Sequence, residues 1–266
     1  MKYLFRSWNS IELKFKKKPI ALFLDYDGTL TRIVSHPRLA NLSPSMKKTL
    51  KQISLNKKIV SSIVTGRSLT DIQKKVGLSA ISYIGNHGFE IQGKQFRYTH
   101  PKGTVSKKIF KKIVPLLEEQ LKSFRGIFIE DKGFTLSVHY RKLNPAKVSQ
   151  AKKAVHLILS SYLEKEQIRM TQGKKVWEIR PPVQWNKGLA VRWFLKKINS
   201  KNKKKYFPIY IGDDKTDEDA FEILNKSGLT IKVVDKKSAK SAASFYLNNT
   251  GEVLELLKRI DEGTKE

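Results

Sequence analysis

The chain has 266 residues with 53 basic and 24 acidic side chains, a formal net charge of +29, and 39% apolar residues with no cysteine. That length and apolar content suit one large domain, or a core carrying a smaller inserted unit. The missing cysteines exclude disulfides and thiolate metal sites and leave nothing to argue for an oxidising compartment, so a cytoplasmic protein is expected.

Residues 1–18 break their apolar positions with charge every few residues, so they lack the continuous apolar core of a secretory signal. No run in the chain reaches the about 18 apolar residues that span a bilayer, and no membrane association is expected. Residues 19–25, PIALFLD, read as the first buried strand, and the turn leaving it is D-x-D-G-T at 25–29. A carboxylate at a strand tip can attack phosphorus and form an acyl-phosphate, which suits Asp25 as nucleophile. Asp27 projects from the same turn and suits an acid that protonates the leaving oxygen and then a base that deprotonates water. Gly28 and Thr29 let backbone amides approach a phosphate oxygen.

A helical pattern at 44–55 precedes a strand-like run at 58–66, and a second helical pattern at 68–77 precedes another strand at 81–86. This alternation, with polar residues at the strand tips, predicts an α/β fold built on a doubly wound parallel sheet, with ligands beyond the carboxyl ends of its strands. Thr65 and Gly66 stand at such a tip and open into a helix, a setting for a phosphate oxygen. Asn86 and His87 occupy a glycine-flanked turn and either meet the substrate or shape the loop.

The middle of the chain changes character. A helix over 105–122, strands at 126–131 and 134–140, a helix over 145–163 and strands at 167–172 and 175–181 form an α+β unit of the pattern αββαββ. It is placed at 102–181 as an insertion between core segments 1–101 and 182–266, because the α/β pattern resumes afterwards. His139, within a β-like run, is read as a packed residue.

The resumed pattern runs helix 186–198, strand 207–214, helix 217–228 and strand 229–235. Lys187 opens the first helix and would offset charge on both an attacking carboxylate and a transferring phosphoryl group. Asp213, Asp214, Asp217, Glu218 and Asp219 crowd the end of the 207–214 strand. Such repelling carboxylates are costly unless a cation joins them, and oxygen ligands select a hard ion such as Mg2+. Asp213 is the first choice of ligand, with Asp214 and Asp217 around it holding waters or orienting Lys187. Glu218 and Asp219 read as acids favoured by a helix N-terminus.

Taken together, DYDGT (25–29), the Thr65 segment, Lys187 and GDD (212–214) resemble the motifs of the haloacid dehalogenase superfamily of phosphatases. GNHGFE (85–90), EDKGFTLSVHYR (130–141), EIRP (178–181), WNKG (185–188) and GDDKTDEDAF (212–221) resemble more closely the trehalose-6-phosphate phosphatases. The resemblance implies a Rossmann-like core of the haloacid dehalogenase type, with the inserted unit as its cap. It implies Mg2+ held by the Asp25 carboxylate, the Asp27 backbone carbonyl and Asp213, with Thr65 and Lys187 on the phosphate. It places Glu130, Lys132, Arg141 and Glu178 on the sugar hydroxyls, and residues 1–18 match nothing in the family's pattern.

The function expected from this resemblance is hydrolysis of trehalose 6-phosphate through an aspartyl-phosphate. The alternatives are a phosphatase for sucrose 6-phosphate or for mannosyl- or glucosyl-3-phosphoglycerate, and a nucleic-acid-binding or regulatory protein on the same scaffold. The charge alone invites the last of these, because a cationic field attracts polyanions. However, lysine outnumbers arginine 42 to 11, its clusters (16–18, 107–108, 111–112, 203–205, 236–237) are spread along the chain, and no nucleic-acid-binding signature is present. A small sugar phosphate is the expected partner, with no nucleic acid, and a monomer is expected.

Overall fold

A computed structural model describes residues 1–173, 175–234 and 240–265, so the lysines at 236 and 237 and the end of the 229–235 run lie outside the described residues. Contacts divide the chain into two compact units, Met1–Tyr98 with Trp185–Glu266, and Thr99–Gln184.

The first unit begins with β1 (Lys2–Tyr3), α1 (Trp8–Glu12), β2 (Ile20–Leu24), α2 (Pro44–Leu55), β3 (Ile59–Val64), α3 (Leu69–Val76), β4 (Ser82–Gly85), β5 (Glu90–Gly93) and β6 (Phe96–Thr99). The second unit holds α4 (Pro101–Leu121), β7 (Phe128–Asp131), β8 (Leu136–His139), α5 (Val148–Glu164), β9 (Arg169–Gly173) and β10 (Val176–Arg180). The first unit then resumes with α6 (Lys187–Asn202), β11 (Phe207–Gly212), α7 (Lys215–Leu224), β12 (Leu229–Val233), β13 (Phe245–Leu247) and α8 (Thr250–Gly263).

The nine strands of the first unit lie in the order β1-β13-β12-β11-β2-β3-β4-β5-β6. Pairing is parallel from β1 to β4 and becomes antiparallel between β4 and β5. The five residues of β2, IALFL, are all buried, as a central parallel strand covered on both faces requires. Their alternation sorts them into two cores. Ile20, Leu22 and Leu24 join α2, α3 and α8 through residues such as Leu50, Ile72 and Leu256, while Ala21 and Phe23 join α6 and α7 through Phe194 and Phe221. Helices therefore cover both faces, which is the doubly wound arrangement.

Helix starts follow local chemistry. Ser43, Ser68 and Asn186 cap α2, α3 and α6 by accepting a backbone N–H, which satisfies one orphan donor of each first turn.

Residues 1–18, which carry no recognisable motif, prove integral to this unit. β1 adds a parallel edge strand beside β13, and Leu4, Ile11 and Phe15 are wholly buried, with Phe15 set against Trp8 and Phe207. The segment was hard to read because its helix has only five residues and its apolar positions are interrupted by charge.

The second unit is a four-stranded antiparallel sheet, β7-β8-β10-β9, with α4 and α5 on one face. Leu136, Val138, Trp177 and Ile179 point into that helical core with Phe110, Leu117 and Val155. The alternate residues, Glu130, Ser137, His139 and Glu178, occupy the other face. The chain leaves the first unit at Tyr98 and re-enters it at Trp185, and these two rings touch, with centroids 6.2 Å apart.

Candidate active site

β11, β2 and β3 lie side by side and parallel, so Asp25, Thr65 and Asp213 follow the carboxyl ends of three adjacent strands. Asp25 is buried and receives a hydrogen bond of 2.7 Å from the Lys187 ammonium. Lys187, the first residue of α6 and also buried, donates equally to Asp217 Oδ1 at 2.8 Å. Asp217 has no exposed surface, and Tyr210 Oη donates to the same Oδ1 while the amides of Asp213 and Asp214 donate to Oδ2. Its oxygens are thus committed to holding Lys187 and the turn that carries Asp213.

Asp25, Asp213 and Asp217 each bring a carboxylate oxygen within 4.8 Å of the others. Burial pushes the Asp25 carboxyl well above its ordinary range against the pull of Lys187, with Asp217 and Asp213 adding to the rise. Burial and the Asp217 charge push Asp213 up to about 7. Lys187 is held above its ordinary value because Asp217 and Asp25 outweigh the burial that would lower it. One ammonium among three carboxylates leaves the cluster short of positive charge. Asp213 Oδ1 is buried with no hydrogen-bond partner among the described residues. A divalent cation fits this donor set, since it would satisfy that oxygen and offset the repulsion.

Gly28 makes the approach possible. Its φ of +92° is a left-handed conformation, and a Cβ there would stand 2.1 Å from Asp213 Oδ2. Asp214 is exposed at the N-cap of α7, so of the two acids flanking Asp213 it is Asp217, and not Asp214, that holds Lys187. Glu218 stands in the first turn of α7, as read, and it also binds Lys232, the Ser241 hydroxyl and the Ala242 amide, tying α7 to β12.

Asp27 is held by Arg67, a residue with no role in the sequence reading. Arg67 Nε and Nη2 donate in parallel to the two Asp27 oxygens at 2.7 Å each, and the same guanidinium binds Asp71 and the Pro37 carbonyl. The Asp27 side chain is 43% exposed, against 7% for Arg67. Arg67 follows Thr65-Gly66 directly, and its amide donates to Thr65 Oγ1 at 3.1 Å. That adjacency was visible, but nothing local signals a carboxylate 40 residues away.

Asn86 and His87 are buried beside this segment. The His87 amide donates to the Thr65 carbonyl, and a Cβ on Gly66 would strike the His87 ring at 2.6 Å. Both residues have left-handed φ, 51° and 54°, a strain that persists only where surrounding contacts fix it. Asn86 Nδ2 supplies one such contact by donating to Glu90 Oε2 at 2.7 Å.

Within the second unit, Glu130, Lys132 and Glu178 come together: the Lys132 ammonium lies 3.7 Å from a carboxylate oxygen of each acid. Arg141 lies exposed in the turn after β8. His139, read as a packed residue, does carry a stacked ring, but on the sheet's polar face and not in its apolar core. It stands on the polar face, 2.9 Å from Glu130 Oε2, with Phe128 stacked on its ring.

A family profile described as trehalose-phosphatase matches residues 23–250. Probable trehalose-phosphate phosphatase J of Arabidopsis thaliana is 38% identical over 92% of this chain and 68% of its own length. The solved C-terminal domain of C. albicans trehalose-6-phosphate phosphatase superposes with a TM-score of 0.80 at 25% identity, covering 98% of each chain. A haloacid dehalogenase-like hydrolase from Bacteroides thetaiotaomicron shares the fold at a TM-score of 0.62 and 16% identity, over 91% of this chain and 100% of that one. With the match running through the aspartate, lysine and acidic-turn segments just described, the chain belongs to the trehalose-phosphatase family.

Proposed function

We propose that the chain hydrolyses trehalose 6-phosphate to trehalose and inorganic phosphate, with Mg2+ as its metal. The observation that carries the chemistry is Lys187 clamped between Asp25 and Asp217 beside the unpartnered Asp213 oxygen.

In the first step an Asp25 oxygen attacks phosphorus, the bond from phosphorus to the sugar oxygen breaks, and Asp27 gives its proton to that oxygen. In the second, water attacks phosphorus, Asp27 takes a proton from it, and the bond from phosphorus to Asp25 breaks to release phosphate. Lys187 balances negative charge on both the nucleophile and the phosphoryl group, and its grip on Asp25 limits the rotamers from which attack can start. Thr65 and Gly66 would receive the phosphate oxygens, with His87 behind Gly66 to fix the loop. Mg2+ would be held by Asp25, the Asp27 carbonyl and Asp213, and would supply charge neutralisation at the phosphoryl oxygens. Asp217, its oxygens already committed, serves as the support for Lys187 and the Asp213 turn.

Because Arg67 fixes both Asp27 oxygens, proton transfer to the sugar oxygen requires Asp27 to rotate away. Asp71, the Pro37 carbonyl and the face of Tyr26 would still hold the guanidinium after it leaves.

Glu130, Lys132 and Glu178, joined by Arg141, would take the sugar hydroxyls, since charged groups make the stronger hydrogen bonds to neutral donors and acceptors. A phosphate-release screen tests the reading with trehalose 6-phosphate, sucrose 6-phosphate, mannosyl- and glucosyl-3-phosphoglycerate and p-nitrophenyl phosphate, with Mg2+ and after chelation. The expected result is Mg2+-dependent release with the highest kcat/KM on trehalose 6-phosphate. A higher kcat/KM on another sugar phosphate, or full activity after chelation, would overturn it.

A further inference from the structure

Three strands of the second unit bring three side chains into one row. Glu130 on β7 and Glu178 on β10 are both register partners of Ser137 on β8, so the serine stands between two acids on the same face. Ser137 is wholly buried and its hydroxyl is used in both senses: it accepts from the Lys132 ammonium at 2.7 Å and donates to Glu178 Oε1 at 2.8 Å.

That pair of bonds settles two things. It fixes Glu178 with Oε1 occupied, while Oε2, buried, has no hydrogen-bond partner among the described residues and lies 3.9 Å from Arg180 Nε. It also holds the Lys132 ammonium 3.7 Å from Glu130 Oε2 and 3.7 Å from Glu178 Oε1, beyond the usual hydrogen-bond distance to these two oxygens. On the other side of the row, His139 engages Glu130 Oε2 at 2.9 Å. An almost buried ammonium between two acids would otherwise close onto one of them, because a desolvated charge needs an acceptor.

We infer that Ser137 is a positioning residue that sets substrate selectivity. It keeps Lys132 off Glu178 and leaves Glu178 Oε2 ready to accept from a hydroxyl of a polyhydroxylated leaving group. The inference rests on the reading that Glu130, Lys132 and Glu178 take the sugar. Without the serine oxygen, Lys132 closes onto Glu178 Oε1, the carboxylate turns with it, and the acceptor is lost to the substrate.

The test is steady-state kinetics of the full chain with trehalose 6-phosphate and p-nitrophenyl phosphate, for wild type, Ser137→Ala, Ser137→Thr, Glu178→Gln and the Ser137→Ala/Glu178→Gln double variant. Ser137→Ala is expected to raise KM for trehalose 6-phosphate and to lower the ratio of kcat/KM between the two substrates about tenfold, the scale of one charge-assisted hydrogen bond. Ser137→Thr, which keeps the hydroxyl, should recover most of that ratio. In the Glu178→Gln background, Ser137→Ala should add less than about twofold, because both changes act through one carboxylate. An unchanged ratio in Ser137→Ala, or full additivity in the double variant, overturns the role of Ser137 while leaving the functional reading intact. A wild-type protein that releases no phosphate from trehalose 6-phosphate overturns that reading and this inference together.

Discussion

At the scale of single residues, the site is a balance of charge. Asp25→Asn removes the attacking oxygen's charge in a near-isosteric side chain, so turnover should fall by at least about a thousandfold while the thermal unfolding transition is kept. Retained phosphate release would contradict the nucleophile. Asp213 supplies a second test through pH. Its folded value of about 7 lies above the about 3.9 of an unfolded aspartate, so between these values the folded state binds more protons than the unfolded one. For this group, stability of the metal-free protein is therefore highest below about pH 4 and is lost as pH rises towards 7. Mg2+ removes the repulsion, so it should raise Tm by several degrees more at about pH 8 than at about pH 5. An equal gain at both would place the ion elsewhere. The residue types of this site were legible in order along the chain. The sequence ranks Asp213 first for a metal, but it does not tell which of Asp214 and Asp217 holds Lys187, because those two differ only in what surrounds them in space.

Among the elements, the first fifteen residues show what periodicity cannot reveal. Phe15 has no exposed surface and packs on Trp8 and Phe207, so Phe15→Ala should cost about 3–5 kcal/mol in chemical unfolding while leaving kcat of the folded fraction near its original value. A cost below about 1 kcal/mol would mean that the segment merely rests on the surface. The central strands β2, β3, β4 and β11 were readable from their apolar runs and polar tips, because a strand buried on both faces draws mostly on apolar residues. The hairpin strands β5 and β6, four residues each, carry too few positions for an alternation to register. Arg67 and Ser137 share a different difficulty. Each acts across a register or a loop crossing, and the partner is fixed only once strands or loops are laid side by side.

For the whole molecule, the lysine excess is a field. A cationic surface concentrates a dianionic sugar phosphate, so raising ionic strength from about 0.05 to about 0.5 M should lower kcat/KM several-fold, chiefly through KM. A salt-independent kcat/KM would mean that the lysines are tuned to solvation alone. Charge predicts such steering but never says where a substrate goes, and the likeness of fold across 16% identity does not say it either. The touching rings of Tyr98 and Trp185 carry a consequence of another kind. Because the polypeptide departs and returns through adjoining doorposts, everything between them can be lengthened, trimmed or exchanged without pulling a strand of the parent sheet out of register. On the proposed reading, residues that serve the sugar could then be altered in the module without disturbing the strand tips that serve the phosphoryl group.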